Sequence, residues 1–331
     1  MVNVGIIGLG PNWDNRYRPA LDSLRSRIRV SAVYDPVASK AEQTALELGA
    51  KAYFGLTSLA KSSVRAVLLL DSSWHGSAAL HLLCTAGKAI YVVGALGDDI
   101  ASVKRLHQWS SEDGLTVMPE LSCRYAPTTH RLKELMATRI GPPKRIAVEC
   151  YSPDFGGPIE EHPNRELIGQ LDWCRYVAGS VPVSISSRSR QRAHESAEPA
   201  QSIDIEFAQR QVGEVNPVAQ LRMHAAGGPV ATSQSRPIAG SFRREIECER
   251  GTATVTSPVD MTWTCEGRSS TERLTSERPD VEVMLDHFAR RVVGGLIPVA
   301  DLGDVCGCIA LIRAAEESRQ TGRPVLLNGH G

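Results

Sequence analysis

The chain has 331 residues, 42% of them hydrophobic, which is enough for about two globular domains. Its 37 basic and 37 acidic side chains give no formal net charge, so the sequence lacks the basic field that attracts nucleic acid or an anionic membrane. No apolar run is as long as a membrane span, and no basic region precedes the first apolar segment as in a signal peptide. We therefore expect a cytoplasmic protein that acts on a small molecule.

The opening residues, MVNVGIIGLGPNW, predict a buried strand followed by a glycine-rich turn. The run at 2–7 is apolar without polar alternation, which is typical of a strand buried on both faces of a parallel sheet. Gly8 and Gly10 allow a tight turn that brings bare backbone close to a ligand phosphate at the start of the next helix. The third glycine of a dinucleotide fingerprint is replaced by Trp13, so the motif alone is weak.

A carboxylate at the end of the second predicted strand strengthens this interpretation. The segment at 29–34, RVSAVY, reads as a strand, and Asp35 follows it. Its separation from Gly10 is near the roughly twenty residues expected for an acid that binds an adenosine ribose. A carboxylate there repels a 2'-phosphate, and no arginine follows it, so we predict NAD as the cofactor and regard NADP as the weaker candidate.

The following segments alternate between helix and strand patterns. Helices are predicted at 39–48, 76–86 and 100–113, and strands at 64–70, 89–93 and 116–118. This alternation predicts a doubly wound parallel sheet that ends near Glu120.

The second half of the chain is dominated by strands. After a helix that Pro127 opens, alternating or β-branched patterns occur at 144–151, 182–187, 202–207, 218–224, 243–249, 252–256 and 261–265. Amphipathic helices at 281–293 and 302–320 precede a final strand at 325–327. We predict an α+β domain with a large, mainly antiparallel sheet.

The eight cysteines are scattered, at 84, 123, 150, 174, 248, 265, 306 and 308. None belongs to the paired CxxC blocks that hold zinc. We expect reduced thiols and no metal site.

Several segments, in this order, resemble the glucose-fructose oxidoreductase, inositol dehydrogenase and rhizopine catabolism (Gfo/Idh/MocA) family. They are VGIIGLG with its acid-ended second strand, AGKAIYVV, RYAPTTHRLKELMATRIGPPKRI, LDWCRYVAGSVPVS and SRQTGRPVLL. The resemblance covers nearly the whole chain, and the ordered set is far more specific than the glycine turn.

The resemblance implies an N-terminal Rossmann domain at 1–120 and a substrate and oligomerisation domain with an open sheet at 121–301. It places a C-terminal helix and strand, 302–331, back on the first domain. It also implies a nicotinamide cofactor and a homodimer or homotetramer formed through the open sheet.

Two positions depart from the family pattern. The strand ending in Tyr91-Val92-Val93 is followed in the family by Glu-Lys-Pro, whose lysine positions substrate near the nicotinamide, and Gly94 stands at that lysine. The family's Asp-x-x-x-His pattern, whose histidine exchanges a proton with the substrate hydroxyl, falls on Arg165 and Gly169. Glycine supplies neither a base nor a charge, so any catalysis needs non-standard acid-base groups.

His162 is the first catalytic candidate. It lies seven residues before Gly169 in a proline-bounded loop, and an inward fold of that loop would make it a base oriented by Glu161 or Glu166. The alternative is an ordinary surface-loop histidine.

Asp172 and Tyr125 are the other two catalytic candidates. By resemblance Asp172 lies at a cleft-lining position, and the alternative is a helix-face carboxylate paired with Arg175 or Arg124. Tyr125 is a candidate proton donor to a substrate oxygen, or simply a core aromatic.

The resemblance also implies a set of cofactor contacts. These are Gly8, Gly10, Asn12, Trp13, Asp35, Ser72, Ser73, His75 and Gly94. Either His75 or Trp74 takes the place of a family histidine. Asp71 is unusual, because a carboxylate near the cofactor phosphates weakens binding unless it caps the helix that begins near Gly76.

Three functions remain open at this point. The first is an NAD(P)-dependent oxidoreductase for a sugar, polyol or related hydroxy compound. The alternative is a non-catalytic NAD-binding or scaffold protein that has lost the chemistry. The third is a lyase or glycosidase that retains its cofactor.

Overall fold

The computed structural model describes residues 1–71, 75–94, 100–152, 165–189, 201–209, 216–225, 241–294, 296 and 298–327. Six parallel strands form sheet A in the first part of the chain. They are β1 (Val2–Ile7), β2 (Ile28–Tyr34), β3 (Lys51–Tyr53), β4 (Ala66–Leu69), β5 (Ala89–Val92) and β6 (Val117–Pro119). The predicted doubly wound parallel sheet is confirmed.

The strand order of sheet A, β3-β2-β1-β4-β5-β6, reverses direction between β1 and β4. Ligands of open α/β sheets bind at the carboxyl ends of the strands beside such a reversal. All four residues of β4 are buried, as are five of the six in β1, which explains their continuous apolar sequences. The candidate site therefore lies where β1 and β4 end.

Helices connect the strands of sheet A, and a further short helix follows its last strand. They are α1 (Arg18–Ser23), α2 (Ala38–Leu48), α3 (Leu56–Ala60), α4 (Gly76–Thr85), α5 (Ile100–Glu112) and α6 (Ser122–Tyr125). A π-helical turn, Trp13–Tyr17, comes before α1.

Sheet B contains nine strands, in the order β14-β13-β12-β11-β7-β10-β9-β8-β15. They are β7 (Pro143–Ser152), β8 (Pro182–Ser189), β9 (Gln201–Phe207), β10 (Val218–Ala225), β11 (Phe242–Cys248), β12 (Gly251–Val255), β13 (Asp260–Cys265), β14 (Arg268–Arg273) and β15 (Val325–Leu326). β7 and β10 pair in parallel, and the other neighbouring strands pair antiparallel. The predicted large, mainly antiparallel sheet is confirmed.

Four further helices complete the described part of the chain. They are α7 (Pro127–Leu135), α8 (Arg165–Ala178), α9 (Asp280–Val293) and α10 (Leu302–Thr321), with a π-helical turn, Met136–Ile140, after α7. α8 packs on β7 and β10 of sheet B, and α9 packs on α1, α6 and β5. None of the helices in the described ranges is both long and apolar enough to cross a membrane.

The two faces of sheet B differ in character. Ile146, Val148 and Cys150 of β7 lie on the buried face. The other face is polar: Glu149 lies in register with Arg222 of β10 and Arg243 of β11. It also carries a hydroxyl pair, Thr252 to Thr264 at 2.7 Å. The strand patterns alternate because only one face is in the core.

The chain divides into two units. The first contains residues 1–125 and 278–306, and the second contains residues 126–277 and 307–331. The sequence predicted boundaries at 120 and 301, with the last strand returning to the first domain. Instead β15 pairs with β8 in sheet B. The sequence shows that this segment is a strand, but hydrogen bonding to a distant strand decides which sheet it joins.

Candidate functional site

The glycine-rich turn at the end of β1 lies directly against Asp71. Gly8 has a φ of +78°, in the left-handed region that glycine adopts without strain. A Cβ atom on Gly8 would lie 2.7 Å from both the Cβ and the carbonyl oxygen of Asp71. Only glycine therefore fits this turn.

The backbone after the turn differs from the predicted helix. Trp13–Tyr17 forms a π-helical turn, and the α-helix begins at Arg18. The Trp13 N–H donates to the Gly10 carbonyl at 3.0 Å, and the Asn12 carbonyl accepts the N–H of Arg16 at 3.0 Å. The Trp13 side chain is buried, so this tryptophan is part of the core of the first unit.

Asp35 braces the glycine-rich turn. Its Oδ2 accepts the Leu9 N–H at 2.7 Å, and its Oδ1 accepts the Val37 N–H at 2.8 Å. The residue is 8% exposed. Carboxylate oxygens have about four lone-pair sites, so these two bonds leave acceptor capacity for a ribose hydroxyl. The brace was not predicted, because the sequence does not show that β1 and β2 end side by side.

His75 contacts Tyr34, the last residue of β2. Its Nε2 lies 3.1 Å from the Tyr34 hydroxyl, and the two ring centroids are 5.7 Å apart. Since Tyr34 precedes Asp35 at the end of β2, the structure brings His75 to the same edge as the glycine turn. The sequence does not single out Tyr34 as a site residue, although it places Tyr34 at the end of a predicted strand.

Asp71 presents its carboxyl group to the turn. A Cβ atom on Gly10 would lie 3.2 Å from the Asp71 Cβ and 3.4 Å from its Oδ2. The N-cap of α4 is His75, and the capping role of Asp71 stays a prediction. The side chain is half-buried.

A second polar cluster surrounds Glu120, immediately after β6. Its Oε2 accepts the hydroxyls of Tyr17 and Tyr91, each at 2.8 Å, and Oε1 accepts Arg16 Nη2 at 3.3 Å. Arg16 also pairs with Asp280 of α9 at 2.9 Å. Burial and the Glu120 charge hold the pKa of Tyr91 well above its usual value, so its hydroxyl stays protonated. The signal that the sequence offered was an acid directly after a buried strand, as at Asp35.

Gly94 and Tyr125 belong to the same unit. Gly94 is exposed, with a φ of +94°, just beyond the end of β5. Tyr125 is buried, and its ring packs edge-on against His287 of α9 with centroids 6.0 Å apart. The neighbouring Arg124 forms an ion pair with Asp304 at 2.7 Å.

Asp172 and Gly169 lie in α8 of the second unit. The Asp172 side chain is fully buried. Its neighbour Trp173 donates from Nε1 to the Thr129 hydroxyl at 3.0 Å, and Arg175 Nη1 lies 3.7 Å from the Cys308 sulfur. The catalytic role of Asp172 stays a prediction.

Several predicted site residues lie outside the described residues: Ser72, Ser73, Trp74, Glu161 and His162. The side chain of Arg165 is not described either, although α8 begins there. Within the described residues, no group of three His, Cys, Asp or Glu side chains is arranged to hold a metal ion.

Solved structures resemble this one over nearly the full length. The UDP-N-acetylglucosamine 3-dehydrogenase GnnA from Acidithiobacillus ferrooxidans has a TM-score of 0.73 and 16% identity, covering 97% of this chain and 98% of its own. The aldose-aldose oxidoreductase from Caulobacter crescentus has a TM-score of 0.78 and 14% identity, and the match covers 98% of this chain and 99% of that protein. The dehydrogenase MviM from Clostridium difficile has a TM-score of 0.73 and 15% identity, and the match covers 96% of this chain and 98% of that protein.

The fold is that of the Gfo/Idh/MocA dehydrogenases. These structural neighbours are dehydrogenases and oxidoreductases. At such low identities the likeness establishes the Gfo/Idh/MocA fold and leaves the chemistry to the residues of this chain. No protein-family model matches the sequence, and no curated protein matches it either.

Proposed function

We propose that this protein is an NAD-dependent oxidoreductase that acts on a sugar, polyol or related hydroxy compound. The observation that supports it best is the arrangement at the carboxyl edge of sheet A. There the turn at Gly8 and Gly10 lies beside the Asp35 carboxylate, at the point where the strand order reverses. This arrangement matches the dinucleotide sites of doubly wound sheets.

The residues at this edge fit a nicotinamide dinucleotide. Gly8 and Gly10 would present bare backbone to the diphosphate, and Asp35 would accept hydrogen bonds from the adenosine ribose. NAD is favoured over NADP because the Asp35 carboxylate repels a 2'-phosphate. The Asn12 amide, His75, the buried Trp13, Ser72, Ser73 and Gly94 stay candidate contacts.

The substrate class is inferred from the structural neighbours. The names of two of them, GnnA and the aldose-aldose oxidoreductase, describe oxidation and reduction of sugars. A hydroxyl-bearing carbohydrate or polyol is the class that we carry over to this chain.

The acid-base groups do not follow from family position, since Gly94 and Gly169 cannot transfer protons. Bound NAD would accept a hydride from the substrate carbon. The protein must then accept the hydroxyl proton at an atom within hydrogen-bond reach. The candidates are His162, Asp172 and Tyr125, and the last two side chains are buried.

Calorimetric titration with NAD, NADH and NADP tests the cofactor assignment. We expect binding of NAD and NADH, and weaker binding of NADP. If none of the three binds at millimolar concentration, the proposed function is wrong.

A non-catalytic binding or scaffold protein is the second candidate. It is favoured by Gly94, which is exposed and has no side chain where the family has its lysine. A dehydrogenase screen over sugars and polyols distinguishes the two candidates. Turnover that is lost in Asp172→Asn or His162→Ala would exclude the scaffold function.

We also propose that the protein assembles through the polar face of sheet B. This face contains a shallow depression of about 460 Å³ lined by charged and hydroxyl side chains of β7, β10, β11 and β12. Its charges include Arg222 and Glu149 at 3.7 Å and Arg243 and Glu245 at 2.7 Å. A homodimer or homotetramer would cover this face. The eight free cysteines are compatible with work in the reducing cytoplasm.

A further inference from the structure

Three arginines of the first unit meet at one buried carboxylate of α9. Asp286, in the middle of this helix, is 5% exposed. Its Oδ1 lies 2.8 Å from Arg27 Nη1, and its Oδ2 lies 3.0 Å from Arg290 Nη2 and 3.5 Å from Arg278 Nη1. We call these four side chains the arginine cluster.

The arginine cluster lies at the edge of sheet A opposite the glycine-rich turn. Arg27 directly precedes β2, and its carbonyl accepts the N–H of Val2 at the start of β1. It therefore belongs to the amino ends of the strands, and β1 runs about 20 Å from this edge to the turn. The cluster is separate from the candidate cofactor site.

The arginine cluster carries more positive than negative charge. A second acid, Glu282, contacts it, with Oε1 2.6 Å from Arg278 Nε. Within the residues that the structure describes, three guanidinium groups thus pair with two carboxylates, which leaves one positive charge. Arg278 and Arg290 contact the same oxygen of Asp286, so their charges repel each other at short range. An anion bound beside them would relieve this repulsion.

The arginines also retain hydrogen-bond donors for such an anion. Arg27 and Arg290 each contact Asp286 through one Nη atom, and neither has a second ion pair among the described residues. The side chains of Arg27, Arg278 and Arg290 are 47%, 47% and 48% exposed, so their remaining donors reach solvent. The planar guanidinium fork matches the oxygens of a phosphate group. Asp286 holds the forks together in advance, which lowers the entropy lost on binding.

We propose that the arginine cluster is a binding site for a phosphate group, supplied by inorganic phosphate or by a phosphate monoester. The phosphate oxygens would accept hydrogen bonds from the solvent-facing donors of Arg27 and Arg290. This site is independent of the proposed NAD site at the other edge of sheet A. A purely structural ion-pair network, by contrast, would respond to phosphate only through ionic strength.

Calorimetric titrations of wild type with inorganic phosphate and with methyl phosphate, at constant ionic strength, test the site. We expect binding of both, and the tighter ligand shows whether free phosphate or an ester is preferred. Arg27→Gln and Arg290→Gln should bind at least about tenfold more weakly, because each loses one charged fork. Arg290→Lys keeps the charge beside Asp286 and loses the fork, so its affinity should lie between these variants and wild type.

Arg25→Gln is the matched control, since it removes the same charge from the same segment and its partner is Asp22, outside the cluster. It should bind both phosphate ligands as wild type does. The inference is wrong if wild type binds neither ligand at tens of millimolar, or if Arg27→Gln and Arg290→Gln bind as tightly as Arg25→Gln. Titration of the same variants with NAD should give wild-type affinity, so either outcome leaves the proposed function standing.

Discussion

Asp35 illustrates how one side chain can serve both the fold and the candidate site. Its two oxygens accept backbone N–H groups from either side, at Leu9 in the glycine turn and at Val37 after β2. Each buried N–H that loses its acceptor costs about 1–3 kcal/mol. The carboxylate that is predicted to bind ribose thus also fixes the turn that is predicted to bind the diphosphate.

Replacing Asp35 should therefore destabilise the protein even without a ligand. We expect Asp35→Ala to lower the free energy of unfolding by about 2 kcal/mol or more, because both N–H groups lose their acceptor. Asp22→Ala is the control, since its partner Arg25 is exposed and such pairs contribute about 0–1 kcal/mol. Urea unfolding measures both variants, and equal midpoints would contradict the bracing role.

His287 of α9 provides a second prediction for a single residue. Its Nε2 is buried and has no hydrogen-bond partner in the part of the chain that the structure describes. Burial lowers the pKa of the His287 ring. The positive charges of Arg291 and Arg290 lower this pKa further, and the negative charge of Asp286 raises it. The folded state therefore holds the neutral ring, while the unfolded chain takes up a proton below about pH 6.5.

Stability should consequently fall as the pH drops below about 6.5, where the unfolded state binds more protons than the folded state. His287→Phe keeps a ring against Tyr125 and cannot titrate. Its urea midpoint should fall less than that of wild type between pH 7.5 and pH 5.5. The exposed His81→Gln serves as the control, and identical pH dependence of His287→Phe and wild type would show that His287 does not titrate in this way.

The site residues were only partly predictable from the sequence. Gly8, Gly10 and Asp35 could be identified as candidate cofactor contacts because each follows an apolar strand at a fixed spacing. The contact of Asp71 with the turn was not visible, since it depends on β1 and β4 ending side by side. The roles predicted for His162, Ser72 and Ser73 stay predictions.

The π-helical turn after Gly10 is held by side-chain hydrogen bonds and ion pairs to two other parts of the first unit. Arg16 and Tyr17, both in this turn, bond Glu120 after β6, and Arg16 reaches Asp280 at the start of α9. The Glu120 side chain is 1% exposed. This cluster therefore ties the turn, the end of sheet A and α9 together.

Glu120→Gln should loosen this connection. We expect a loss of about 3 kcal/mol in the free energy of unfolding, because Arg16 loses the buried negative charge that it pairs with. In addition, the amide nitrogen of glutamine cannot accept a hydrogen bond, so one of the two acceptor atoms of the carboxylate is lost. Glu134→Gln is the control: its carboxylate, 61% exposed, pairs with Arg131. Chemical unfolding compares them, and a loss as small as that of Glu134→Gln would show that the cluster contributes little.

The helices and strands were predictable where burial on one or both faces gives the sequence a hydrophobic pattern. The core strands of sheet A are continuous apolar runs, and those of sheet B alternate. β14, with the sequence RSSTER, was missed because an edge strand with mostly exposed side chains carries no apolar pattern. β3 was missed because none of its three residues, KAY, is fully buried and the segment has no apolar run. The π-helical turn has no sequence signature.

At the scale of the whole molecule, the polar face of sheet B is the surface through which we propose that chains assemble. An interface there would join charged rows of one chain to those of another, so a charge reversal should disrupt it. We expect wild type to have the mass of two or four chains by light scattering, and Arg222→Glu to shift it toward one chain. Arg25→Glu, outside this face, is the control. A monomeric wild type, or an assembly unchanged in Arg222→Glu, would contradict this interface.

We propose above that the carboxyl edge of sheet A binds a nicotinamide dinucleotide. A crystal structure with saturating NAD tests this binding site. We expect the diphosphate on the turn at Gly8 and Gly10, with a ribose hydroxyl about 2.6–3.2 Å from an Asp35 oxygen. NAD bound elsewhere, or a ribose out of reach of Asp35, would contradict it.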